Sequence, residues 1–130
     1  MEVSENFARA RVFTELRVYR EAFDHAMVIF ELSRNFPACE RYSLTDQFRR
    51  SARSVCSNIA EAWGKRKYPA AFASKLVDAL SEAEETIVWI DFSRACGYMT
   101  EFDAKKLREA YRIIAAQLVV MIHSPERWRV

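Results

Sequence analysis

Apolar residues recur at spacings of three and four in four separate stretches of this chain, the period of a helix with one buried face. The first stretch carries Leu16, Tyr19, Phe23, Met27 and Phe30, and the second Leu44, Phe48, Ala52, Val55, Ile59 and Trp63. The third carries Phe72, Leu76, Leu80, Ala83, Ile87 and Ile90, and the fourth Leu107, Tyr111, Ile114, Leu118 and Met121. The punctuation between them agrees. Phe36-Pro37, Gly64, Cys96-Gly97 and Ser124-Pro125 supply stops, while Thr14, Ser43 with Asp46, Pro69, and Thr100 with Asp103 supply starts. The pattern predicts an all-α four-helix bundle over residues 14–124, with helices at about 15–35, 44–67, 70–96 and 101–123. A loose N-terminal arm, residues 1–13, precedes it, and a short C-terminal tail, residues 125–130, follows.

The second helix carries more than a core face. Gln47, Arg50, Ser54, Asn58 and Glu61 recur beside the apolar stripe, so a polar line borders the core instead of opposing it. Polar groups there must find partners, which makes this line, with Glu85 of the third helix, a candidate hydrogen-bonding network that fixes register. Arg49 and Arg53 lie one turn apart on the remaining surface.

Composition supports helices over sheets, because two glycines and three prolines in 130 residues leave few tight turns. A net charge of +2 is too mild to name a partner, but its distribution is uneven. From Leu44 to Lys67, Arg49, Arg50, Arg53, Lys65, Arg66 and Lys67 face only Asp46 and Glu61. From Tyr68 to Met99, Lys75 and Arg94 face Asp78, Glu82, Glu84, Glu85 and Asp91. The two central helices are therefore complementary in charge, and their packing consumes part of the basic patch. Cys39, Cys56 and Cys96 have no CxxC pairing and read as reduced core or near-core thiols of a cytoplasmic protein. The start of the chain has no signal-like apolar run, and no stretch approaches the length of a membrane span. Val88, Trp89 and Phe92 on the third helix, and Ile113, Val119 and Val120 on the fourth, exceed what one seam needs. This surplus predicts self-association, with Val88, Trp89, Phe92, Ile113 and Val120 at the contact.

Catalytic patterns are lacking: no phosphate loop, GxSxG elbow or HExxH occurs. His25 and His123 stand apart, and neither follows a glutamate by three residues as a di-iron bundle requires, so no metal or cofactor is expected. Glu61 and Glu85 read as structural acceptors for Arg50, Asn58 and other helix donors, and the chain as a non-enzyme. Arg49, Arg53, Lys65, Arg66 and Lys67 suit phosphate contacts, with Tyr68 or Trp63 to stack on a base. A solvated or ion-paired face accounts for the same residues, and both readings stand at this point.

The segment FPACERYSLTDQFRRSARSVCSNIAEAWGKR resembles the signature FPxxERYxLxxQxRRAxxSIPSNIAEGxGR of the four-helix bundle proteins encoded within intervening sequences of bacterial 23S rRNA genes. Phe36, Pro37, Glu40, Arg41, Tyr42, Leu44, Gln47, Arg49, Arg50, Ser54, Ser57, Asn58, Ile59, Ala60, Glu61 and Gly64 all match. TELRVYREAF resembles the family's opening, and Phe72, Ala79-Leu80, Glu85 and Gly97-Tyr98-Met99 its third helix. Cys56 replaces the usual proline and Ala62 the usual glycine, which favours a straighter second helix. The resemblance implies an up-and-down bundle that assembles as a homopentameric ring. It is similar in fold to accessory proteins of diversity-generating retroelements, which bind nucleic acid. The partners it implies are other copies of the chain with RNA or DNA; a protein-binding scaffold is the competing expectation, and the hydropathy of the chain predicts no membrane partner.

Overall fold

A computed structural model describes residues 10–129, in which four α-helices carry nearly all the regular structure. They are α1 (Arg17–Ser33), α2 (Leu44–Gly64), α3 (Pro69–Ala95) and α4 (Glu101–His123), with short 3-10 turns at Phe13–Glu15, Ala38–Glu40 and Pro125–Trp128. No strand occurs among the described residues. α2 packs on α3, α3 on α4, α4 on α1 and α1 on α2, so the helices enclose a single core.

The stripes expected on α2 and α4 are the ones that are buried. Phe48, Ala52, Val55, Ile59, Tyr111, Ile114 and Leu118 are all inaccessible or nearly so. α1 differs. Phe23 and Met27 are about half exposed, and the buried face is Val18, Ala22, Ile29 and Ser33. Two apolar stripes compete on this helix. The one with Ala22 and Ser33 on it lets α1 approach its neighbours closely, as close packing favours, and the bulkier stripe remains at the edge. On α3, the small residues Ala79, Ala83, Thr86 and Ser93 fill the seam, and Leu80 and Ile87 are only half-buried. Thr86 Oγ1 and Ser51 Oγ lie 2.8 Å apart, a buried polar contact between α2 and α3.

Several predicted boundaries shift for local reasons. Thr14 does not cap α1: it lies in a 3-10 turn, and Leu16, almost fully buried, precedes the first helical residue. Ser43 stands at the N-cap of α2, but its hydroxyl donates to Glu40 Oε1 at 2.7 Å and makes no cap bond, so the predicted box with Asp46 is not formed. Gly64 remains helical, and α2 ends there, not at residue 67. Arg66 Nε donates to the Trp63 carbonyl at 2.8 Å and so serves this C-terminus. Thr100 caps α4 as expected, accepting from the Asp103 N–H at 3.1 Å. Gly97 adopts φ +81°, the left-handed conformation that closes α3.

Both ends of the chain press on the bundle where they are described. Trp63 Nε1 donates to the Arg11 carbonyl at 3.3 Å, and residues 1–9 of the predicted arm lie outside the described residues. Trp128, expected in a tail, is buried against Trp63 and Phe72, with ring centroids 5.9 and 6.4 Å away. The residues at this end therefore form an aromatic plug beneath the α2–α3 turn.

At the opposite end Tyr98 Oη donates to Glu40 Oε2 at 2.8 Å, tying the end of α3 to the Ala38–Glu40 turn. Hydrogen bonds from Ser43, Tyr98 and the Leu44 backbone hold the Glu40 carboxyl below its usual range. The bond to Glu40 pushes the Tyr98 phenol up to about 12. Glu40's contribution is complete above the ordinary carboxylate value and is lost as pH falls through its lowered one. Tyr98's contribution is complete below the ordinary tyrosine value and is lost as pH rises through about 12. Thermal midpoints recorded between about pH 3 and 6 should fall less steeply on acidification for Glu40→Gln than for the native chain. Equal slopes would remove Glu40 from the acid response.

Candidate functional site

The first half of α2 forms one wall of a groove. The last turn of α1 and the loop through Ala38 and Tyr42 form the other, enclosing about 940 Å³. Pro37 stops α1 and turns the chain, so that loop residues face α2. Five arginines line the groove, Arg34, Arg41, Arg49, Arg50 and Arg53, and Asp46 is the one acidic residue among the lining side chains.

These arginines differ in how much of their charge is neutralised. Arg50 donates to Glu85 Oε2 at 2.6 Å and Glu82 Oε1 at 3.3 Å, and the Glu85 contact raises its already high pKa further. Arg34 lies 3.5 Å from Glu31 with both side chains more than 60% exposed, a weak pair. Arg49 is half-buried. Its Nε donates to Ser33 Oγ at 2.8 Å, its Nη2 to the Phe30 carbonyl at 3.4 Å, and its guanidinium lies over the Phe30 ring at 4.7 Å. Those acceptors fix the side chain without cancelling its charge. Arg53 is exposed and has no hydrogen-bond or ion-pair partner among the described residues. Arg41 lies over the Tyr42 ring at 5.8 Å, and Tyr42 is 83% exposed. Arg41, Arg49 and Arg53 thus leave a groove of net positive charge with an open aromatic ring at its lip.

Lys65, Arg66 and Lys67 are not part of it. They lie at the other end of α2, about 24 Å from Arg49 at the helical rise per residue. Arg66 is stacked on Trp63 at 3.8 Å, and burial lowers its pKa. Trp63 is itself buried and offers no base a surface, whereas Tyr68 is 63% exposed. The cationic residues on α2 therefore form two separate groups.

Arg50 and Glu61 of the polar line reach α3, and the other members find partners within α2. Arg50 Nε donates to Gln47 Oε1 at 3.3 Å, and Glu85 Oε2 also accepts from Trp89 Nε1 at 3.1 Å. Asn58 Nδ2 donates to the Ser54 carbonyl and hydroxyl at 2.9 and 3.1 Å and makes no bond with Glu61. Glu61 pairs instead with Lys75 at 3.0 Å. Glu61 and Glu85 each have a different cation, so the structure does not assemble them as an acid–base pair.

Val88, Phe92, Ile113 and Val120 are each about half exposed. Trp89 is half-buried and lines, with Phe92, Leu44 and Cys96, an apolar hollow of about 290 Å³. Cys39, Cys56 and Cys96 are free thiols, but only Cys56 is in the core as expected, where burial pushes its thiol up to about 11; Cys39, in the loop after α1, and Cys96, at the end of α3, are exposed. Among the described residues no three His, Cys, Asp or Glu side chains gather to hold a metal ion. Nor is any helix long and apolar enough to cross a membrane.

Sequence reasoning missed Arg34, Arg41 and Tyr42 as members of the groove, since no helical period connects them to Arg49. Yet Phe36, Pro37, Arg41, Tyr42, Arg49, Arg50, Ser54 and Ser57, all carriers of the sequence resemblance, line this one groove.

Fold and groove together define a small four-helix bundle protein with an arginine-lined cleft. The chain belongs to the family of 23S rRNA-intervening sequence proteins, matched over residues 14–120. It is similar to a crystal structure of a protein with unknown function from the S23 ribosomal protein family of Bacteroides thetaiotaomicron. That similarity has a TM-score of 0.73 and 26% identity over 82% of this chain and 95% of the other. No curated protein matches it.

Proposed function

We propose that the protein is a non-enzymatic adaptor that binds RNA or DNA, with the arginine-lined groove as its principal contact. The observation that carries this reading is the three guanidinium groups, Arg41, Arg49 and Arg53, gathered from both walls of one groove without carboxylate partners. Phosphate is the common ligand for such a surface, because guanidinium remains charged and presents forked donors. Lys65 and Lys67, both exposed, form a second and weaker contact at the far end of α2. The polar line serves register: Arg50–Glu85 and Glu61–Lys75 pair residues whose numbers rise on one helix as they fall on the other. Arg94–Glu101 and Asp91–Arg108 repeat this opposition between α3 and α4, and Gln117–Glu21 joins the last part of α4 to the first part of α1, which favours an antiparallel, up-and-down course.

The family resemblance extends the reading to a homopentameric ring, with Val88, Trp89, Phe92, Ile113 and Val120 as its contact residues. The exposure of Val88, Phe92, Ile113 and Val120 supports this, as does repetition of a modest cationic groove around a ring, which would strengthen binding through avidity. The free thiols suit a reducing, cytoplasmic setting. A second reading, a protein-binding scaffold without nucleic acid, is favoured by the apolar hollow around Trp89 and Phe92.

Titration of labelled RNA and DNA at increasing salt separates these readings. Nucleic-acid binding predicts a log affinity that falls linearly with the logarithm of salt concentration, so that affinity drops on the order of a hundredfold or more between about 50 and 200 mM if a ring engages several phosphates. Absence of binding even at the lowest salt would leave the scaffold reading. A monomeric mass by light scattering would reject the ring.

A further inference from the structure

We propose that the groove takes unpaired nucleotides, a single-stranded or looped stretch of RNA or DNA, with one base stacked on Tyr42. This inference rests on the nucleic-acid reading and narrows it. Tyr42 is the starting point, because a tyrosine ring 83% exposed lies on the groove wall beside the loop arginine. Arg41 covers one part of the ring at 5.8 Å, and the remaining exposed surface is free to accept a second planar group. Stacking of this kind needs a base released from its neighbours, which a duplex interior does not offer.

The groove's size points the same way. About 940 Å³ is near the upper end of small-ligand pockets, roughly 300–1,000 Å³. That accommodates a short run of splayed nucleotides, whereas a duplex would lie across the mouth and reach only the outer arginines. Depth also separates the cations. Arg49, half-buried and clamped by Ser33 and the Phe30 carbonyl, lies deeper than Arg53, which is exposed. A thin, flexible phosphate chain can meet both. Thr45, nine-tenths buried with its Oγ1 unpartnered, lines the same wall.

Fluorescence anisotropy on the full chain tests this with a labelled RNA strand of about a dozen non-complementary nucleotides, its duplex, and polyphosphate and polyglutamate of matched charge. The strand should bind at least tenfold more tightly than the duplex. Tyr42→Ala should weaken strand binding roughly tenfold while leaving polyphosphate binding unchanged, and Tyr42→Phe should retain strand affinity. Equal strand affinity for Tyr42→Ala and the native chain, or a duplex bound as well as the strand, overturns the inference and leaves salt-dependent nucleic-acid binding standing. Failure of strand and duplex alike at low salt overturns both readings. Polyglutamate bound as tightly as the strand overturns them in favour of an acidic protein partner.

Discussion

Phe48→Ala should destabilise the bundle by roughly 3–5 kcal/mol, a large part of the ~5–15 kcal/mol that holds a domain of this size together. The ring of Phe48 is inaccessible and stacks on Phe36, with centroids 6.3 Å apart. Phe36 in turn lies against Tyr98 at 5.4 Å and forms part of the groove wall. Truncation leaves a cavity where α2 meets the end of α1 and the loop, and the neighbouring rings cannot close it without moving the groove. Urea denaturation followed by circular dichroism should show a lower midpoint with a similar slope. A midpoint near that of the native chain would mean that the site collapses without cost and that Phe48 does not support the groove.

Phe48 belongs to what the sequence makes plain. α2 and α4 each have one strong apolar stripe, so helical period alone identifies their buried faces. α1 has two, and period cannot choose between Phe23 and Met27 on one side and Val18, Ala22 and Ile29 on the other; contact with α2 and α4 decides. Capping shows a similar limit. Thr100 has no competing partner and caps α4, whereas Ser43 stands three residues after Glu40 and its hydroxyl goes there. The groove lies beyond any one-helix reading, since it joins Arg34 from the end of α1, Arg41 and Tyr42 from the loop, and Arg49 and Arg53 from α2. Only the turn at Pro37 brings these together. The division of α2's cations into two sites follows from the same cause, because linear proximity in charge says nothing about which end of a helix has a facing wall.

Combined reversal of Arg49 and Arg53 to glutamate should weaken binding of RNA or DNA on the order of a hundredfold or more at low salt. Two cations that neutralise phosphates are removed and two repulsive charges enter the groove. The slope of log affinity against log salt should shrink by about 1.5, at roughly 0.7–0.9 for each phosphate no longer neutralised. The two positions are not equivalent. Arg53 has no partner to give up among the described residues, so Arg53→Glu alone should weaken binding with an unchanged unfolding midpoint. Arg49 clasps Ser33 and the Phe30 carbonyl, so Arg49→Glu also loosens α1 from α2 and should lower that midpoint. Light scattering on the same variants separates the remaining possibilities. Weakened binding with unchanged mass assigns both arginines to the nucleic-acid contact. A fall in mass assigns them to the subunit interface instead, and the groove would then be a surface that another copy of the chain covers.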